Sequence, residues 1–242
     1  MRYKKPSKEE LDGQMIDAAK VGDVKSVKRL LKYGAGVDAK DNRGKTAMMW
    51  AAENGYLDVV KLLFECGADA NARDNEGWTA MMWAVRYRQL DVVKLLIEKE
   101  ADVNAKNKYG ETALMLAVWN RQPAIVKFLV EHKAKVNARS NGRRTAMMGA
   151  AENGDLDVVK FLVEHGVDLS VKDNKGKTAA MIARESGHKE IADYLDLFTQ
   201  QKKIINSMRE NSERLALKPD IQRILRTGQE YTAKRRGVSY VA

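Results

Sequence analysis

The chain has 242 residues, of which 44% are hydrophobic and 31% are charged, and its formal net charge is +10. This composition supports a folded core, and no stretch approaches the roughly 18 to 20 apolar residues that a membrane-spanning helix needs. The single cysteine, Cys66, excludes an internal disulfide and a metal site with several cysteine ligands. With no apolar signal segment after the basic start, these features lead us to expect a cytoplasmic protein.

The first forty residues predict an N-terminal capping unit. Ser7 and Glu10 have the spacing of a capping box, in which each side chain satisfies the backbone amide of the other. A second apolar helix around Val27 is followed by Gly34, and the outer positions are polar. A polar outer face is what the terminal unit of a stacked array requires.

Threonine then recurs with a fixed period of 33 residues. The repeated positions are Thr46, Thr79, Thr112, Thr145 and Thr178. Each threonine is followed by a short run rich in alanine and methionine, a glycine or its replacement, an apolar run and a polar turn. A period of this length predicts a repeat architecture and therefore decides the whole fold.

One copy shows the physical logic of the repeat. Thr46 can cap the first helix through its hydroxyl, and the small side chains of Ala51 and Ala52 let a neighbouring helix approach closely. Gly55 suits the left-handed residue that ends this helix, and Gly67 suits the end of the second. Neither helix can bury its apolar face alone, so successive copies must stack.

This pattern resembles the ankyrin repeat family, and its Thr-Ala-Met starts resemble prokaryotic or phage members. The resemblance implies an all-α solenoid of stacked helix-turn-helix units with short β-turn or hairpin connections. We expect the capping unit over residues 1–40, five repeats over 41–199 and a basic helical extension over 200–242. The repeat boundaries are 41–73, 74–106, 107–139, 140–172 and 173–199.

The sequence departs from the family pattern at several backbone positions. The family proline and histidine of the first helix are replaced by alanine and methionine in each copy. Arg143 takes the place of the turn glycine, and four further glycines are replaced in the two central repeats. Those replacements are Arg88, Glu100, Arg121 and Lys133. A left-handed residue other than glycine costs about 1 kcal/mol, so we expect repeats two and three to be locally less regular.

The resemblance implies a concave face, lined by turn tips and first helices, that binds partners. Mapping by phase puts all four tryptophans on this face, and Trp, Tyr and Arg are enriched among binding hot spots. The candidate partner-binding residues are Arg43, Trp50, Trp78, Trp83, Arg86, Tyr87, Tyr109, Trp119 and Asn120. Packing between first helices is an equal alternative for Trp50 and Trp83, whereas Trp78 and Trp119 are expected to be exposed.

The sequence pattern gives no indication of a catalytic site or a metal site. The methionine pairs occupy repeat positions that are expected to lie in the core, so they are not expected to form a soft metal site. His132, His165 and His188 do not converge with Cys66. No glycine-rich phosphate loop or nucleophile elbow is present. We therefore expect no enzyme activity, no cofactor and no metal.

The C-terminal extension is the most basic part of the chain. Residues 200–242 contain ten basic and four acidic side chains, with a cluster at Lys234, Arg235 and Arg236. An apolar spacing through Ile204 and Met208 predicts a continued helix, which Pro219 interrupts. Three roles stay open: the extension caps the last repeat, folds back into the aromatic groove, or binds an anionic partner.

The leading functional hypothesis is a monomeric, non-catalytic scaffold that binds a protein of unknown identity on the concave face of repeats one to three. The alternative is a nucleic-acid-associated protein that uses the basic tail.

Overall fold

The computed structural model describes the backbone of residues 6–214 and the side chains up to residue 208. Contacts divide the chain into two units, residues 1–193 and 194–242, and the last helix runs from the first unit into the second. The described residues form twelve helices. These are α1 (Lys8–Lys20), α2 (Val24–Lys32), α3 (Ala47–Asn54), α4 (Leu57–Glu65), α5 (Ala80–Arg86), α6 (Leu90–Glu98), α7 (Ala113–Trp119), α8 (Pro123–Glu131), α9 (Ala146–Asn153), α10 (Leu156–Glu164), α11 (Ala179–Glu185) and α12 (Lys189–Arg214).

Each first helix of a repeat begins directly after its predicted threonine. The hydroxyl of Thr46 accepts a hydrogen bond from the backbone N–H of Met49 at 3.3 Å, and the other four threonines cap their helices in the same way. Short turns join the helices, and Lys40 and Thr46 form an isolated antiparallel bridge. The predicted all-α repeat solenoid is confirmed.

The core of the first unit lies between two rows of stacked helices. The first helices contact one another in the order α1, α3, α5, α7, α9 and α11, and the second helices in the order α2, α4, α6, α8 and α10. The small side chains of Ala51 and Ala52 are fully buried between neighbouring first helices. The methionines of repeats one to four are buried as predicted, but Met181 in the last repeat is 46% exposed.

The N-terminal unit begins with the predicted capping box. The Ser7 hydroxyl accepts from the Glu10 backbone N–H at 3.1 Å, and the Glu10 carboxylate accepts from the Ser7 N–H at 2.7 Å. Asp23 then caps α2 by accepting from the backbone N–H of Ser26. The hydrogen bonds of Asp23 with Ser26 hold the pKa of this carboxyl below its usual value.

All five residues that replace glycines adopt the left-handed conformation, with φ between 54° and 69°. The expected local irregularity of repeats two and three is confined to their first helices, since α5 and α7 have seven residues where α3 and α9 have eight. Their second helices start at Leu90 and Pro123, in step with Leu57 and Leu156 of the flanking repeats. Stacking against both neighbours therefore imposes the repeat geometry on residues that disfavour it.

The predicted continuation of the last helix through Met208 is confirmed, since α12 extends to Arg214. Within the second unit, the side chains of Leu197, Ile204, Ile205 and Met208 are exposed. The predicted break at Pro219 and the basic cluster at 234–236 lie outside the described residues. No helix in the described part of the chain is long and apolar enough to cross a membrane.

Candidate partner-binding site

Two tryptophans of the predicted site are anchored by the aspartates that open their own repeats. The indole N–H of Trp50 donates to Asp41 Oδ2, and that of Trp83 donates to Asp74 Oδ2, both at 3.0 Å. The other oxygen of Asp41 accepts two backbone N–H groups of its turn. Partial burial alone raises the pKa of Asp41, but the hydrogen bonds from the Lys45 amide and the indole outweigh it and lower the pKa.

Lys45 lies between these two tryptophans and is only 1% exposed. Its Nζ is 3.5 Å from the ring centroid of Trp50 and 3.7 Å from that of Trp83, and it forms an ion pair with Glu53. Burial lowers the pKa of Lys45, while Glu53 opposes this shift. The negative faces of two aromatic rings are a favourable environment for a buried ammonium group.

More cations and rings surround this centre. Lys20 and Arg43 lie 5.0 and 5.5 Å from the Trp50 ring. The Trp78 ring is 4.9 Å from that of Trp83, and Arg86 lies 5.5 Å from Trp78. We call Lys45, Trp50, Trp78 and Trp83, with Arg43, Arg86 and Tyr87 at their edge, the cation–aromatic cluster.

The predicted exposure of the tryptophans is only partly correct. Trp78 was expected to be exposed but is 8% exposed, because it packs on Trp83 beneath Arg86. Trp119 is half-buried, since its ring fills the space above Gly149, where a Cβ would lie 2.4 Å from the ring. Trp50 and Trp83 are half-buried as well. The tryptophans thus contribute as much to the packing between repeats as to the surface.

Lys45, Leu116 and Gly149 lie on the same side of the first helices and turns as the predicted site, yet they are buried. The position after the methionine pair, held by Leu116 and Gly149, packs against the neighbouring first helix instead of facing solvent. The position of a residue within the repeat does not reveal this burial, because the stacked helices cover part of the face that a single repeat exposes.

The exposed part of the predicted site consists of two tyrosines and two arginines. Tyr87 is 46% exposed, with its ring 6.3 Å from that of Trp83, and Tyr109 is 54% exposed. Arg43 and Arg86 are exposed too. The half-buried Asn120 uses its backbone carbonyl to accept a hydrogen bond from Arg88 at 2.9 Å. The accessible residues therefore surround half-buried indoles in repeats one to three.

Tyr109 is held at the tip of its turn by the preceding repeat. Its hydroxyl donates to Glu76 Oε2 at 3.0 Å, and Lys108 lies 4.0 Å from the other carboxylate oxygen of Glu76. The hydrogen bond with Glu76 raises the pKa of Tyr109 above its usual value. The ring is therefore positioned while its face stays accessible.

The repeats differ in one pair of positions that the sequence analysis did not single out. In repeats one, four and five, a basic residue of the turn forms an ion pair with a glutamate eight residues later. These pairs are Lys45–Glu53, Arg144–Glu152 and Lys177–Glu185. Repeat two has Trp78 and Arg86 at these positions, and repeat three has Glu111 and Trp119. The 33-residue spacing could have revealed this substitution of ion pairs by aromatic groups.

Comparison with known families decides the identity of the fold. The family model described as ankyrin repeats, in three copies, matches residues 15–107, 76–140 and 137–204. The chain belongs to the ankyrin repeat family. A search of curated proteins finds no match. Ankyrin repeats generally mediate protein–protein interaction and are typically non-catalytic, so membership indicates a binding role at this coarse level.

Proposed function

We propose that this ankyrin repeat protein is a cytoplasmic, non-catalytic scaffold that captures a protein partner on the concave face of repeats one to three. The capping unit of residues 1–40 and the extension of residues 200–242 flank the five repeats, of which the first three carry the proposed site. The observation that carries the proposal is the replacement of two ion pairs by aromatic groups in repeats two and three.

Two tyrosines beside these positions favour a binding role because their rings are accessible to solvent. Tyr87 and Tyr109 are 46% and 54% exposed, although an isolated repeat array gains nothing by exposing large rings to water. Tyrosine and arginine bury much area with little loss of side-chain freedom, which is why they dominate interface hot spots. The rigid stacking of the repeats further limits the entropy lost on docking.

The partner contacts fall on the accessible residues, not on the buried indoles. Trp78 is 8% exposed and Lys45 is 1% exposed, so both support the surface from beneath. Arg43, Arg86, Tyr87 and Tyr109 carry the contact, with the edges of Trp50, Trp83 and Trp119 and the neighbouring Asn120 adding to it. A partner that suits this face offers apolar side chains flanked by carboxylates.

The test is affinity capture from a lysate, followed by calorimetry with the purified captured partner. We compare the full chain with the variant Arg86→Ala/Tyr87→Ala/Tyr109→Ala. Two or three hot-spot residues together contribute several kcal/mol, so we expect affinity to fall by at least about a hundredfold. The loss should persist at high salt, because the contact is centred on aromatic groups.

A matched control removes similar side chains away from this face. Tyr33→Ala/Lys61→Ala/Lys160→Ala also truncates three exposed residues and should leave affinity unchanged. Equal binding by the two triple variants would contradict the proposed site. Capture that disappears only when residues 200–242 are deleted would instead assign partner binding to the basic extension.

A further inference from the structure

The turns that open repeats three to five form a strongly basic surface, which we call the basic turn face. It comprises residues 106–111, 139–144 and 172–177, with eight basic and two acidic side chains. The corresponding turns of repeats one and two, residues 40–45 and 73–78, have four basic and three acidic side chains. The excess positive charge is therefore confined to one end of the repeat array.

Most of this charge is not neutralised by the protein. Arg144 and Lys177 have glutamate partners, and Lys108 lies 4.0 Å from Glu76. The five remaining cations are exposed and have no ion-pair partner among the described residues. These cations are Lys106, Arg139, Arg143, Lys172 and Lys175. Unpaired cations at this density attract an anionic ligand.

Of the two acids, Asp173 turns away from the surface. It is 8% exposed, and its carboxylate accepts the backbone N–H groups of Lys175 and Lys177, both at 2.9 Å. The Lys177 amide contributes most to holding the pKa of Asp173 below its usual value. The carboxylate therefore organises the turn that presents Lys175.

Hydrogen bonds between successive turns fix the spacing of the cations. The backbone N–H of Asn141 donates to the carbonyl of Tyr109 at 2.9 Å, and that of Asn174 to the carbonyl of Gly142 at 3.3 Å. Lys106 Nζ donates to the carbonyl of Arg139 at 2.8 Å. Neighbouring helices pack about 8–10 Å apart, so three consecutive turns extend over about 20 Å.

The chemistry of this surface favours a nucleic acid over a protein. Tyr109 is the one large aromatic or apolar side chain in these three segments that is exposed, whereas protein interfaces need an apolar core. Protein–nucleic acid interfaces are more polar and much more positively charged. Arginine, lysine, asparagine and turn amides are also the groups that contact phosphates.

We infer that the basic turn face binds the sugar–phosphate backbone of a nucleic acid without reading its sequence. A length of about 20 Å faces several successive phosphates of one duplex strand. This surface shares Tyr109 with the proposed partner site, but none of the cations that carry the inference belongs to that site. The inference therefore does not rest on the proposed protein partner.

Fluorescence anisotropy with the full chain and a labelled 20-base-pair DNA duplex of mixed sequence tests the inference. The variant is Arg139→Gln/Arg143→Gly/Lys175→Gln, and salt is varied from 50 to 200 mM. We expect affinity at the lowest salt to fall by about tenfold or more, and the salt slope to become shallower by about three. Arg143→Gly relieves a left-handed arginine with φ of 57°, and the other two changes replace exposed side chains, so we expect the variant to unfold at the same urea concentration as the wild type or a higher one.

Two variants with the same loss of charge serve as controls. Lys61→Gln/Lys127→Gln/Lys160→Gln changes exposed lysines of the second helices, and Lys234→Gln/Arg235→Gln/Arg236→Gln changes the tail cluster. Neither should change affinity by more than about twofold, because the inference assigns DNA binding to the basic turn face and not to these charges.

Three results would overturn the inference. One is an absence of binding by the wild type at 50 mM salt. Another is a loss of binding in either control as large as in the turn-face variant. The third is binding of polyglutamate of equal charge more tightly than DNA at the same salt concentration, which would favour an acidic polypeptide as the ligand.

Discussion

Lys45 shows at the scale of one residue how this fold accommodates a buried charge. Its ammonium group contacts two indole faces and one carboxylate, so the contacts that replace water are all favourable to a cation. Burying an ion pair gives little net stability, but removing one partner leaves the other charge uncompensated. The arrangement holds the indoles of α3 and α5 at a fixed separation.

We predict that Lys45→Met lowers the free energy of unfolding by about 3 kcal/mol, because it leaves the Glu53 carboxylate largely buried without its partner. The double variant Lys45→Met/Glu53→Gln should regain most of this loss, since it removes the uncompensated charge. Urea unfolding of the three proteins measures both effects. A double variant that is as unstable as the single one would show that cation–π contact, not the ion pair, dominates.

The pH dependence of the stability difference between the wild type and Lys45→Met tests whether the pKa of Lys45 is lowered. Because burial lowers its pKa, the unfolded chain binds more protons than the native state between the lowered value and the ordinary 10.5. The stability of the wild type relative to Lys45→Met should therefore rise as pH increases through this range. A relative stability that falls over the same range would contradict the predicted direction.

At the scale of the helices, small residues decide how closely neighbouring repeats approach. Gly149 in α9 faces the Trp119 ring of α7, and the corresponding position of other repeats is held by tryptophan, leucine or isoleucine. The glycine thus accommodates an indole that comes from the preceding repeat. Large and small side chains alternate across this contact, as in other closely packed interiors.

We predict that Gly149→Ala lowers the free energy of unfolding by about 1–3 kcal/mol, because its Cβ would lie 2.4 Å from Trp119 Cδ1. Displacement of the indole should also shift the tryptophan fluorescence. Gly13→Ala in α1 is the matched control, since nothing lies within 4 Å of its added Cβ. That control should gain up to about 1 kcal/mol from helix propensity. A stabilised Gly149→Ala protein would contradict the packing argument.

At the scale of the whole molecule, the repeats of the first unit contribute to stability through contacts with their neighbours. Repeats two and three contain four left-handed residues other than glycine, each of which costs about 1 kcal/mol. Their helices keep the common register because both neighbours pack on them. Stability should therefore be lowest in the middle of the array, close to the proposed partner site.

We predict that backbone amides in α5 to α8 exchange with solvent faster than those in α3, α4, α9 and α10. Glu100→Gly/Lys133→Gly should slow exchange in α5 to α8 by about fivefold or more, because one strained residue is relieved in each repeat. Gly67→Ala makes the opposite change at the same phase of repeat one and should accelerate exchange in α3 and α4. Equal exchange rates in all of these helices would contradict the prediction that the middle repeats are the least stable.

The sequence determined the repeat architecture because every copy repeats the same local chemistry. Thr46 and its counterparts cap helices through bonds within one turn, and the replaced glycines mark left-handed positions that depend on the local backbone. The coarse binding role follows from the same pattern through family membership. These features depend on the local chain, so they can be predicted without knowing which residues pack on them.

Only the tertiary structure decided which side chains of the predicted face are accessible. Trp78 and Trp119 have the phase of surface residues, yet one packs under Arg86 and the other over Gly149 of the next repeat. Lys45 is buried because two tryptophans from different repeats close around it. Exposure depends on which residue the neighbouring repeat places opposite, and a period of 33 residues contains no information about that pairing until the repeats are stacked.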